Sequence, residues 1–174
     1  MAGIYPDLVE KVVIVSSGIG CTEEQKGKHL RKIRRNVLEL LLPEKTDDLR
    51  LLVNLSMYKY DPLKWVPDFI LRQFMDVMHK NFKKEKQELV EHLLSKNVDS
   101  DLPILTQETL LIWGDQDYVF PLSMAHQLQR RLGPKSKLEI IKDTGHAANL
   151  ESPDSLNDLI KSFVLGSSEV RSVK

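Results

Sequence analysis

Leu110-Leu111-Ile112-Trp113-Gly114-Asp115-Gln116-Asp117-Tyr118-Val119-Phe120-Pro121 is the stretch on which the reading of this chain turns. Four large apolar residues run into a glycine, and two aspartates and a proline follow. The pattern predicts an apolar strand that ends in a glycine turn presenting an acid. A second predicted strand, Leu138-Glu139-Ile140-Ile141-Lys142, runs into Asp143-Thr144-Gly145-His146. His146 stands 29 residues after Asp117 (146 − 117). One strand end delivers a carboxylate and the next an imidazole. On one sheet edge, such a pair forms the orienter and the base of a nucleophilic triad.

Each residue alone has a plainer reading. A loop aspartate more often bonds nearby backbone amides, and that reading is kept for Asp115. A lone loop histidine is more often a polar surface residue. His146 differs in following a strand directly, with the small residues Ala147 and Ala148 after it, a setting that suits a base on a pocket floor. His29, His79, His92 and His126 fall within helical patterns and are expected to face solvent.

Working outward, the texture alternates strand and helix from Leu102 on. A strand is expected at about 108–113, a helix at 121–132, a strand at 137–142 and a helix from Pro153 to Val164. Ser152 and Pro153 read as its cap and first residue. Upstream, Lys11-Val12-Val13-Ile14-Val15 reads as a buried strand that ends in Ser16-Ser17-Gly18-Ile19-Gly20. Thr22-Glu23-Glu24-Gln25 has capping-box spacing. A helix is therefore expected from about Glu23, with Leu30, Ile33, Val37, Leu38 and Leu41 on its apolar face. Pro43 closes it, and Thr46 is expected to cap the next helix. Asp61-Pro62 and Val66-Pro67 mark turns, with helices expected at 68–80 and 84–95. Strand, long helical excursion, strand, helix, strand, helix implies a parallel sheet with right-handed crossovers.

Composition narrows the function classes. With 25 basic and 25 acidic residues among 174, nothing draws the chain toward nucleic acid or anionic lipid. Cys21 is the only cysteine, so there is no internal disulfide framework and no multi-cysteine metal site. No apolar run approaches the roughly 20 residues of a membrane span. No signal-peptide pattern opens the chain, and a cytoplasmic, reducing setting is the expectation.

Together these segments resemble the C-terminal half of the α/β-hydrolase fold. Tyr5-Pro6-Asp7-Leu8-Val9-Glu10-Lys11-Val12-Val13-Ile14-Val15 resembles the strand after that family's nucleophile helix. Residues 22–100 resemble its helical cap, and Leu111 to Asp117 its acid strand. Gly145-His146 resembles its histidine loop, and Pro153 to Val164 its last helix. The resemblance implies a partial α/β-hydrolase fold, with a three-stranded parallel sheet, flanking helices and an inserted cap. Residues 1–20 and 101–168 would form the core, 21–100 the cap, and 169–174 a loose tail.

The implied reaction is hydrolysis of a small apolar ester-like substrate through a covalent intermediate. Asp117 and His146 would be the catalytic acid and base, with no metal and no cofactor. The family order is nucleophile, acid, histidine, yet no Gly-x-Ser-x-Gly elbow occurs in this sequence. The chain is therefore expected to be a truncated member, inactive alone, whose nucleophile could be serine or aspartate. The alternative is a non-catalytic module of the same fold that binds a small molecule or a protein. The missing neighbour of the strand at Lys11 should leave an apolar edge guarded only by that lysine, so self-association is also expected.

Three further features admit two readings each. Gly18-x-Gly20 before a helix suggests a phosphate-binding turn, but the third glycine of that fingerprint is replaced by Glu23, and a plain loop is preferred. Lys26, Lys28, Arg31, Lys32, Arg34 and Arg35 could bind an anion, but a solvated helix face is preferred. Trp65, Phe69, Phe74, Met75 and Met78 could line a substrate pocket or could simply pack helices together.

Overall fold

A computed structural model of the chain describes residues 1–19, 41–79, 81–95 and 104–166. The chain divides into two compact units. One comprises Met1–Ile19, Ser56–Lys59 and Asp101–Lys174, and the other Gly20–Leu55 and Tyr60–Ser100. Cys21, Gly20, His29, the basic run at 26–35, nearly all of the helix expected from Glu23, and the C-terminal tail lie outside the described residues.

The first unit is built on three parallel strands, β1 (Lys11–Val15), β2 (Glu108–Gly114) and β3 (Ser136–Ile141), in the order β1-β2-β3. Val13 pairs with Leu110 and Ile14 with Leu111, while Leu111 also pairs with Leu138. The core is thus the three-stranded parallel sheet that the resemblance implies.

β2 is central because its alternating side chains serve two cores. Leu110 and Ile112 point to one face, where they pack with Ile141, Ala148 and Leu156. Leu111 and Trp113 point to the other, against Ala125, Leu128 and Leu132. Helix α4 (Leu122–Leu132) lines that second face, and α6 (Pro153–Leu165) lines the first through Leu156, Leu159, Ile160 and Phe163. Leu111, Ile112 and Trp113 are fully buried. Each such side chain contributes about 1.5–3 kcal/mol through loss of apolar surface to water, which anchors the strand that carries Asp117.

Three details differ from the sequence expectation. Lys11 does not guard the sheet edge. Its ammonium donates to the carbonyls of Phe163 (2.8 Å) and Val164 (3.2 Å) near the C-terminus of α6, where the helix dipole favours a cation. Ser152 precedes Pro153 as expected, but its hydroxyl makes no cap bond. It meets the Thr144 hydroxyl at 2.8 Å and accepts from the Lys59 ammonium at 2.8 Å. A short helix not foreseen, α5 (Ala148–Glu151), joins the histidine loop to α6.

The second unit contains α1 (Thr46–Ser56) as far as Leu55, with α2 (Asp68–His79) and α3 (Lys83–Ser95). Leu49, Leu71 and Met75 form its core, with Val53, Leu63 and Val66 packed against them. Arg50 ties the connecting loop together by donating to the carbonyls of Leu63 and Val66 and to the Asp68 carboxylate. That last bond holds the Asp68 carboxyl below its ordinary range. The Thr46 hydroxyl donates to Asp68 at 3.2 Å. Of the five apolar residues weighed for a pocket, Met75 is core, whereas Trp65, Phe69, Phe74 and Met78 are exposed.

Candidate functional site

Both candidate residues lie just beyond adjacent parallel strands, at their C-terminal ends. β2 stops at Gly114, and the loop that follows folds around the Asp117 side chain. Asp117 Oδ1 accepts the N–H groups of Val119 (2.8 Å) and Phe120 (2.7 Å). This local turn fixes the carboxylate and aims its other oxygen across the strand ends. Oδ2 lies 3.0 Å from His146 Nδ1, the contact expected from the two strand ends.

β3 stops at Ile141, and the chain turns through Asp143 at φ 50°. Aspartate tolerates that left-handed conformation better than most residues. The turn brings Thr144 and Gly145 back over the end of β2. Gln116 N–H donates to Thr144 O at 3.0 Å, and Asp115 Oδ1 accepts Thr144 N–H at 3.3 Å. Asp115 thus bonds an amide 29 residues on rather than the nearby amides expected of it, and the local turn bonds fall to Asp117. The approach is so close that Gly114 has no room for a side chain, since a Cβ there would lie 2.1 Å from Thr144 O.

The Asp117 side chain is wholly buried, whereas that of His146 is 28% exposed. A carboxylate oxygen facing Nδ1 places the imidazole proton there and leaves Nε2 as the acceptor. No bond engages Nε2 among the described residues. The ring edge is backed by Phe120, with ring centroids 5.3 Å apart at 72°. Phe120 is fixed in turn by the Trp113 indole N–H, which donates to its carbonyl at 2.7 Å, and its ring packs on Gly18. That packing gives Gly18 a plain structural use. Chemically, the arrangement can take a proton at Nε2 and stabilise the resulting imidazolium.

Sequence reasoning missed two contributors. Glu151 is buried and accepts Gly145 N–H at 2.6 Å, and Phe120 walls the imidazole. Neither carries a motif, although both stand close in sequence to the residues they serve, Glu151 in the same loop region as Gly145 and Phe120 in the turn that holds Asp117. His92 and His126 are exposed, as expected. Among the described residues no group of three or more His, Cys, Asp or Glu could hold a metal ion.

Parallel strands with helices on both sheet faces, and an acid and a histidine beyond successive strand ends, define a hydrolase-type α/β core. Comparison with known proteins agrees. Residues 1–153 match the family model described as the alpha/beta hydrolase fold. The chain belongs to the α/β-hydrolase fold family.

It is 26% identical over 170 residues to a 2-hydroxy-6-oxononadienedioate/2-hydroxy-6-oxononatrienedioate hydrolase of Pseudomonas sp, covering 94% of this chain and 57% of that protein. It is 27% identical over 171 residues to the monoacylglycerol lipase ABHD6 of Homo sapiens, covering 94% of this chain and 50% of that one. The chain thus spans about half the length of these curated relatives. Among solved structures, a 2-hydroxy-6-oxo-6-phenylhexa-2,4-dienoate hydrolase from Rhodococcus sp. strain RHA1 shares the fold. Its TM-score is 0.66 at 18% identity, over 91% of this chain and 56% of that chain.

Proposed function

We propose that Asp117 and His146 are the acid and base of a hydrolase that cleaves a small apolar ester through a covalent intermediate. The observation that carries this is the 3.0 Å contact between a buried carboxylate and a part-exposed imidazole. In this reading His146 Nε2 takes the proton of the nucleophile and later that of the attacking water. Asp117 holds the ring and offsets its charge. The lipase and hydrolase names of the relatives suit an acyl or similar substrate. Residues 21–100 take the role of the family's cap in this reading, and the nucleophile is not one presented by a Gly-x-Ser-x-Gly elbow in this sequence, which holds none.

The 174-residue chain alone should therefore show no turnover of nitrophenyl esters above background. No Gly-x-Ser-x-Gly is present in it to supply the attacking group. Turnover that disappears in His146→Ala would overturn this and reveal a different nucleophile within the chain. A longer form that carries an elbow and still turns nothing over would count against hydrolysis altogether.

A second reading is favoured by the exposure of Trp65, Phe69, Phe74 and Met78. The same fold would then be a non-catalytic module for a small apolar molecule or a protein, with Asp117 and His146 unused in chemistry. An inactive elbow-bearing form that still binds apolar ligand would support it.

Self-association belongs to the proposal too. No strand pairs with the outer edge of β1 among the described residues, and Lys11 is turned toward α6. An unguarded Val-Val-Ile-Val edge offers free N–H and C=O groups to another chain. Size-exclusion chromatography of the isolated chain should show species larger than a monomer. Val13→Pro should shift the elution toward monomer by removing an N–H and kinking the strand. A monomer at all concentrations would refute the edge contact.

A further inference from the structure

Glu151 is a buried acid whose two carboxylate oxygens are both engaged by backbone N–H groups from distant stretches of chain. Oε2 accepts Gly145 N–H at 2.6 Å, while Oε1 accepts Tyr58 N–H and Lys59 N–H at 2.6 Å each. The Lys59 ammonium returns to the same corner, donating to Glu151 O at 3.3 Å and to the Ser152 hydroxyl at 2.8 Å. On the other side of His146, Ala147 N–H donates to Ser56 O at 2.9 Å. Both peptide neighbours of the histidine are thus fastened to Ser56–Lys59, which joins the sheet-bearing unit although the chain around it belongs to the other one. A Cβ on Gly145 would meet Glu151 Oε2 and Ser56 O at 2.9 Å, so the clasp leaves no free space at this point.

We propose that Glu151 is a positioning residue for His146. Its carboxylate joins the histidine loop to Ser56–Lys59 and so holds the imidazole Nδ1 against Asp117. The inference rests on the Asp117–His146 pair acting as acid and base. A carboxylate suits the task because it offers two acceptor oxygens and no donor. Glutamine has nearly the same shape but only one acceptor. In Glu151→Gln the amide nitrogen must face either Gly145 N–H or the Tyr58 and Lys59 pair, and one attachment is lost.

The test is nitrogen-15 NMR of the full chain in water. Wild type should show a hydrogen-bonded imidazole N–H, assigned to His146 by its loss in His146→Gln and dependent on Asp117 by its loss in Asp117→Ala. In Glu151→Gln that ring proton should exchange with solvent at least tenfold faster, a hydrogen bond to a charged group being worth about a tenfold shift or more. The amides of Leu111, Ile112 and Trp113 should keep their wild-type exchange rates. An unchanged ring proton would overturn the proposal, and so would equal acceleration of ring and core, which marks plain destabilisation. A ring proton missing from wild type, or surviving Asp117→Ala, would instead sink the Asp117–His146 reading and this inference with it. Should Glu151→Gln fail to fold, amide exchange in wild type decides. The Gly145, Tyr58 and Lys59 amides should be at least tenfold protected relative to unstructured peptide, and exchange at peptide rates would refute the clasp.

Discussion

Replacing His146 by alanine in an elbow-bearing, active form of this protein is expected to lower kcat by about six orders of magnitude. Without Nε2 no group remains to take the nucleophile's proton, and none returns it to the leaving group. Asp117→Asn should lower kcat by about 10⁴, because an amide can turn its N–H₂ toward Nδ1 and select the wrong imidazole tautomer. The wholly buried Asp117 side chain has no water to soften that change. The two losses should not add, since base and orienter act as one unit. Asp115→Asn is the control. Among the described residues its carboxylate accepts the Thr144 N–H at 3.3 Å, and its loss should cost less than tenfold. Steady-state kinetics on a nitrophenyl ester measures all of these. A His146→Ala protein within about 100-fold of wild type would remove His146 from the chemistry.

The parts of the fold that were legible in the sequence are those set by local pattern. β2 could be read from Leu110 to Trp113 because an unbroken apolar run into a glycine turn marks a strand end, and the structure fills both of its faces, as a central parallel strand requires. The Asp117–His146 contact could be read because two successive strand ends of a parallel sheet come side by side, so register alone brings the loops together. What could not be read depends on where polar groups find partners. Ser152 stands at a cap position, yet its hydroxyl is drawn to Thr144 and Lys59. Thr46 was expected to cap α1, and its hydroxyl donates to Asp68, 22 residues on, a partner that no local pattern shows. Lys11 stands at a strand start but serves the end of a helix 152 residues away. Glu151 meets Tyr58 across 93 residues, a separation at which no periodicity or motif carries information. Hydrophobic pattern is local and repeats, whereas hydrogen-bond partnership is chosen only after the chain has packed.

Among the described glycines, Gly114 is the one where an added methyl group should do most damage. The new Cβ would stand 2.1 Å from Thr144 O, 2.4 Å from Gly145 O and 2.8 Å from Thr144 C, far inside van der Waals contact. All three are backbone atoms, so no rotamer change relieves the clash. Nor can they retreat easily. Gln116 N–H holds Thr144 O, and Glu151 and Ser56 hold the peptides on either side of His146. The strand end is equally fixed, because Trp113 is fully buried between α4 and Phe120. Overpacking usually costs about 1–3 kcal/mol, and with backbone on both sides the upper end or more is expected. For a chain of this size, about 3 kcal/mol corresponds to a fall in Tm of roughly 6–12 °C. The histidine loop must give way if the strand does not, so the His146 ring proton should also lose its protection. Urea unfolding and the ring resonance together measure both effects. An alanine protein within about 1 kcal/mol of wild type, with the ring proton still protected, would mean that the loop is free to shift while keeping Asp117 and His146 together. The close fit of Gly114 under Thr144 and Gly145 would then have no part in holding that pair.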